Sequence, residues 1–160
     1  MQVASKRMQI EKALRSISLG ILLCLFASCS STYQSLAAND NVVSPSTLRM
    51  SMHDCFIQGC DGSILISSTS DNSAERDYID NDIPQQAFDT IDAIKKALEE
   101  SCPGVVSCAD IMALATLQAV QFLGGPSWQV DLGRRDSRTS LAANGAANIP
   151  RSNLDAKFYL

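Results

Sequence analysis

Phe88, Ile91, Ile94 and Leu98 recur at three- and four-residue intervals with charged residues between them, which predicts an amphipathic helix ended by Cys102-Pro103-Gly104. A second helix is predicted directly after it. Ser107, with Asp110 three residues later, is a variant of the capping box. Ile111, Met112, Leu114, Ala115, Ala119, Val120, Phe122 and Leu123 then form so broad an apolar face that this helix should lie centrally, with Met112 and Phe122 in the core, before Gly124-Gly125-Pro126 stop it. A third helix is predicted upstream, capped by Ser44, with Pro45 in its first turn, and running to Phe56 before Gly59.

The intervening segments are polar. Ser31 to Ser44 is rich in Ser, Ala and Asn and reads as a linker or a weak helix. Asp61 to Pro84, with a brief apolar patch at Ile64 to Ile66, reads as a long structured loop, and loops of that length in compact domains are commonly functional or pinned by something bound. Beyond Pro126, Trp128 to Ser140 alternates around the charged knot Gly133-Arg134-Arg135-Asp136, and Ala142 to Ile149 reads as a small-residue loop. No internal repeat, nucleotide-binding glycine loop or hydrolase elbow is visible.

At the N-terminus, Lys6, Arg7, Lys12 and Arg15 precede the apolar run Ile17 to Ala27, and small residues follow. This reads as a signal segment over residues 1–30, with an apolar run too short for a stable membrane span. Composition adds one exclusion: a net charge of −4 and a pI near 4.8 leave no basic footprint for nucleic acid or anionic lipid, so small neutral molecules are the better partners. In an oxidising compartment, Cys55, Cys60, Cys102 and Cys108 would be available for disulfides.

Chemistry concentrates in Leu48 to Ser63, where the sequence's single histidine, His53, stands four residues after Arg49. On a helix that spacing puts a guanidinium and an imidazole on one face, a fixed cation beside a base that titrates near neutrality. His53, Cys55 and Cys60 could also be three zinc ligands, although their spacing is not that of the common zinc modules.

Five segments, in order, resemble the secreted (class III) haem peroxidases of plants: LRMSMHDCFIQGCDGS, AERD with Asn81 following, FDTIDAIKKALEESCPGVVSCADI, GGPSWQVDLGRRD, and Asn148-Ile149-Pro150. The resemblance covers roughly Ser44 to Asn153. It implies a mainly α chain, the distal half of an all-helical fold that sandwiches haem b, in a peroxidase domain over 31–160. It further implies a secreted, monomeric enzyme of the cell wall or apoplast, oxidising small phenolic donors with hydrogen peroxide and serving peroxide removal and the oxidative stress response. By position, His53 is the catalytic base and Arg49 the fixed charge. Asn81 holds the imidazole through its other ring nitrogen, and Glu75 completes that network.

Asp54, Ile57, Gly59, Asp61 and Ser63 match the family's distal calcium ligands, with main-chain oxygens of Asp54, Ile57 and Gly59 among them. Hard oxygens around a glycine turn suit that ion. Cys55 pairs with Cys60, Pro150 lies at the edge of the donor channel, Asp110 and Arg134 form a structural ion pair, and Trp128 belongs to the core. Cys102 and Cys108 match positions that pair with cysteines elsewhere, and a direct bridge between them is not expected.

Three departures accompany the resemblance. Met52 stands where the family usually has a phenylalanine over the haem, which implies looser access and an oxidisable sulfur. Most of the family's first helix is not recognisable before Ser44. The matched segments belong to the distal half, and no residue here is expected to be the axial ligand of the iron, so little turnover is expected from this chain alone. The alternative reading is a truncated, non-catalytic calcium-binding helical protein without productive haem ligation.

Overall fold

The computed structural model describes residues 27–79 and 81–149. The first helical residues described, 27–39 (α1), present Cys29, Tyr33 and Ala37, successively four residues apart, to the core. That period is what buries it. Most of the stretch expected to be a linker or weak helix is therefore packed helix. The expected boundary at residue 30 falls inside α1, and residues 1–26 lie outside the described residues. The stripe is hard to read from the sequence because it is made of a thiol, a phenol and a methyl group set among Ser and Gln.

α2 spans Val43–Ile57, close to the expected limits, but Ser44 is not its cap. The helix starts one residue earlier. Asp40 accepts the Val42 N–H at 2.8 Å through Oδ1, and its main-chain oxygen accepts the Val43 N–H at 3.2 Å. Ser44 lies inside the first turn, where its hydroxyl accepts a hydrogen bond from Tyr33 at 3.1 Å and ties α1 to α2. Pro45 is tolerated beside it because first-turn N–H groups have no partner within the helix. α2 ends at Gln58, and Gly59 then turns the chain with φ +108°.

The long loop holds two short 3-10 turns, Ser63–Leu65 and Glu75–Asp77, and one antiparallel bridge between Thr69 and Asn72. α3, Gln85–Ser101, buries the expected Phe88, Ile91, Ile94 and Leu98. α4, Cys108–Phe122, opens as expected: Ser107 Oγ accepts the Asp110 N–H at 3.1 Å. It packs on both α2 and α3, with Ile111, Met112, Leu114 and Ala115 in the core. Phe122 and Trp128 differ from expectation, being 46% and 44% exposed. Phe122 falls in the last turn of α4, and Trp128 follows the Gly124-Gly125-Pro126 break and lines a surface cleft of about 260 Å³ with Met112, Thr116 and Arg134.

Residues 126–140 form an extended strap over the start of α4, fastened by two carboxylates. Asp110 accepts the Gly133 N–H at 2.7 Å and the Arg134 N–H at 3.2 Å, and pairs with the Arg134 guanidinium at 3.2 Å. Asp136, reaching in the other direction, accepts the N–H groups of Cys108 and Ala109 at 3.0 and 2.8 Å, two donors that a helix start leaves unpaired. The strap leads into a short helix, α5, Ala142–Asn148, where a loop was expected; Gly145 fits closely against the Tyr78 ring. No described helix is long and apolar enough to cross a membrane.

Candidate active site

Asn81 brings the expected base and cation under one control. Its Oδ1 lies 2.6 Å from His53 Nδ1, while its main-chain oxygen accepts from Arg49 Nε at 3.0 Å. The amide orientation follows from its far side: Asn81 Nδ2 donates to the main-chain oxygen of Glu75, which can only accept, so Oδ1 must face the imidazole. An oxygen at that place selects the tautomer with the proton on Nδ1. Nε2 is left with its lone pair as the basic nitrogen.

His53 and Asn81 are buried, and burial holds the imidazole below its usual value of 6.5. The hydrogen bond from Asn81 opposes that shift and the nearby Arg49 charge adds to it. His53 is thus kept neutral, as a base should be. Arg49, Met52 and Phe56, at positions i, i+3 and i+7 of α2, form an exposed stripe beside it, Met52 at 41% and Phe56 at 52%.

Glu75 reaches this network by a different route from the one expected. Its main chain meets Asn81, whereas its buried carboxylate accepts from the Ser63 hydroxyl at 2.7 Å. Burial pushes that carboxyl up, against the pull of the Ser63 bond. The carboxylate therefore links the base network to the loop after α2.

In that loop the Cys55–Cys60 disulfide is present, and Cys102 and Cys108 are not joined to each other. Asp54, directly after His53, is fully buried and accepts the N–H groups of Gly62 and Ile64 at 3.1 and 3.2 Å. Burial pushes its carboxyl up to about 6, against those two bonds and assisted by the negative charges of Asp61 and Glu75. Asp61 Oδ1 accepts the Ser63 N–H at 3.2 Å, and Ile57 and Ser63 are buried while Gly59 is exposed. Among the described residues, no three His, Cys, Asp or Glu side chains gather to hold a metal. Cys55 and Cys60 are joined to each other, so neither offers the free thiolate that the zinc alternative needs. The expected calcium set combines the Asp54 and Asp61 carboxylates with the Ser63 hydroxyl and main-chain oxygens, and hard oxygen donors of that kind suit that ion. Pro150 lies outside the described residues.

Sequence reasoning singled out His53 and Arg49 as candidates but missed two contacts. The hold of the Asn81 main chain on Arg49 and the capping of α4 by Asp136 both join positions far apart in sequence.

A family model described as peroxidase matches residues 29–159. Among curated proteins, the chain is 60% identical over 103 residues to Peroxidase 3 of Arabidopsis thaliana, covering 64% of this chain and 31% of that protein. Against Peroxidase 5 of Vitis vinifera it is 49% identical over 111 residues, covering 69% and 34%. Against Peroxidase 4 of Vitis vinifera the match is longer, 42% over 139 residues, covering 84% and 43%. The chain spans roughly a third to two-fifths of the length of these curated relatives.

Proposed function

Since the chain belongs to the class III peroxidase family of plants, we propose that it carries the peroxide-cleaving face of a haem peroxidase that oxidises small phenolic donors. The observation that carries this reading is the neutral, Asn81-held imidazole beside a fixed guanidinium. Cleaving an O–O bond heterolytically requires one proton to move from the near oxygen to the far one while negative charge builds on the latter. Nε2 of His53 serves the proton and Arg49 serves the charge. Asn81 fixes the direction in which Nε2 points.

The residues present fit one face of haem. Met52 and Phe56 would offer the group apolar contact beside the base, and Arg49 would offer it a cation. When bound, haem supplies the redox iron through which peroxide is reduced and donors are oxidised one electron at a time. His53, the sequence's single histidine, would in this reading act on peroxide rather than hold the iron.

The same reading places calcium among Asp54, Ile57, Gly59, Asp61 and Ser63, and places the protein outside the cell. The oxygen-only donor set supports the first, and a disulfide of the kind that persists in oxidising compartments supports the second.

The test is to titrate the folded chain with haem, supplying free imidazole as an added iron ligand, and to follow peroxide-dependent oxidation of a phenol. Turnover above that of haem and imidazole alone should fall by about 10²-fold or more in His53→Ala, the range a positioned acid–base group contributes. Equal rates with and without the chain would instead favour the non-catalytic calcium-binding reading.

A further inference from the structure

Met52 is placed where the machinery proposed above would act on it. It follows Arg49 by three residues, so the two side chains leave α2 on the same side, with Cβ atoms about 5–6 Å apart and with His53 next in the chain. It is also open to solvent, at 41%, whereas Met50, two residues earlier on the same helix, is fully buried, and Met112 is 2% exposed. Three described methionines therefore share one molecule but have unlike access to peroxide.

A thioether is a two-electron nucleophile toward peroxide, and what slows its oxidation in water is the departure of a poorly stabilised hydroxide. We propose that Met52 is a site of self-directed modification, converted by hydrogen peroxide to the sulfoxide with the help of Arg49 and His53. This rests on the reading that those two residues act on peroxide. The Met52 sulfur attacks one peroxide oxygen, an S–O bond forms and the O–O bond breaks. Sulfur gives up two electrons and the leaving oxygen takes them beside the Arg49 guanidinium. The proton on the attacked oxygen passes through His53 Nε2 to the leaving one, so that one sulfoxide and one water result and the imidazole is regenerated. The product puts a polar S=O on a stripe otherwise completed by Phe56, and it is reversible by methionine sulfoxide reductases. Peroxide in excess of donor would thus mark, reversibly, the face that consumes it.

The experiment treats the full chain with hydrogen peroxide in the absence of donor, with N-acetylmethionine in the same tube as an internal standard, and maps sulfoxide by peptide mass spectrometry. Cleavage after Arg49 and Arg76 yields one peptide carrying both Met50 and Met52, and its fragment ions assign the added oxygen. Met52 is expected to oxidise about 10²-fold faster than the standard, the low end of general acid–base assistance, while Met50 and Met112 stay reduced. The advantage should shrink in Arg49→Gln and in His53→Gln, with helix content checked by circular dichroism. Oxidation of Met52 at the rate of the standard overturns the proposal without recourse to any variant. If phenol turnover depends on His53 but Met52 oxidation matches the standard, this inference fails alone. If Met52 oxidation depends on Arg49 and His53 but no phenol turnover appears, it stands and the haem reading fails.

Discussion

Asn81 is held by a ring nitrogen, by a guanidinium and by the main chains of Glu75 and Tyr78, and so it is the residue through which the imidazole and the guanidinium share one position. Removing its side chain in Asn81→Ala should release the imidazole while leaving the main-chain hold on Arg49, and should cost up to about 10²-fold in peroxide-dependent turnover, within the contribution of a positioned base. The titration of His53 supplies a second readout, because a chain with one histidine gives one imidazole Cε1 resonance by NMR. In the folded protein it should titrate below 6.5, and in Asn81→Ala lower still, since the Asn81 bond raises the value that burial lowers. The sign for stability follows: the unfolded chain binds the proton more readily, so this residue costs stability as pH falls through 6.5 toward the folded value and costs nothing above it. A midpoint at or above 6.5 in the folded protein would contradict the buried, neutral base. That Arg49 and His53 share a helix was legible from their spacing, while their roles were expected only from the family motif, and the hydrogen bond that Arg49 donates to the Asn81 main chain spans 32 positions and leaves no trace in residue type.

At the level of elements, legibility followed the strength of the apolar period. α3 carries four large apolar residues at helical spacing among charges, and all four are buried. α1 carries the same period in Cys29, Tyr33 and Ala37, but only one of the three is large, and α5 is too short and too rich in small residues to show a period. α2 gave its extent but not its start, because the expected serine lies inside the helix and the residue before the first turn, Val42, makes no side-chain cap bond. The packing of α1 has a chemical signature. Burial pushes the Cys29 thiol up to about 12, so at pH 8 almost none of it is thiolate. Iodoacetamide should leave Cys29 unmodified in the native chain and label it after denaturation in urea, as read by peptide mass. Rapid labelling of the native chain would show that α1 does not dock as described.

For the molecule as a whole, the strap matters because it bonds to two regions at once. Asp136 caps α4, and its neighbour Ser137 donates to the main-chain oxygen of Asp61 at 2.9 Å, so the loop after α2 and the start of α4 are bound to one segment. Asp136→Ala removes two charge-assisted hydrogen bonds at a helix start and should destabilise the chain by about 2–4 kcal/mol, taking roughly 1.5–3 for each such bond and allowing for partial replacement by water. Urea unfolding followed by circular dichroism measures this, and a loss under about 0.5 kcal/mol, the scale of an ordinary surface substitution, would mean that the strap is ornamental to the fold. Little of this was readable beforehand. The knot Gly133-Arg134-Arg135-Asp136 was conspicuous, and the Asp110–Arg134 pair was anticipated from the family, but the direction in which Asp136 reaches was not.

The half-exposed indole of Trp128 makes the strap visible by light. It is the only tryptophan in the chain, so emission excited at the red edge of protein absorbance comes from this one place and needs no label. An indole partly in water emits at longer wavelength than one enclosed in apolar surroundings. Whatever settles over the cleft beside Met112 and Thr116 will draw the colour toward the blue, and whatever loosens the strap will draw it toward the red. The molecule therefore carries a gauge of its own surface, placed at the segment that ties its loop to its central helix.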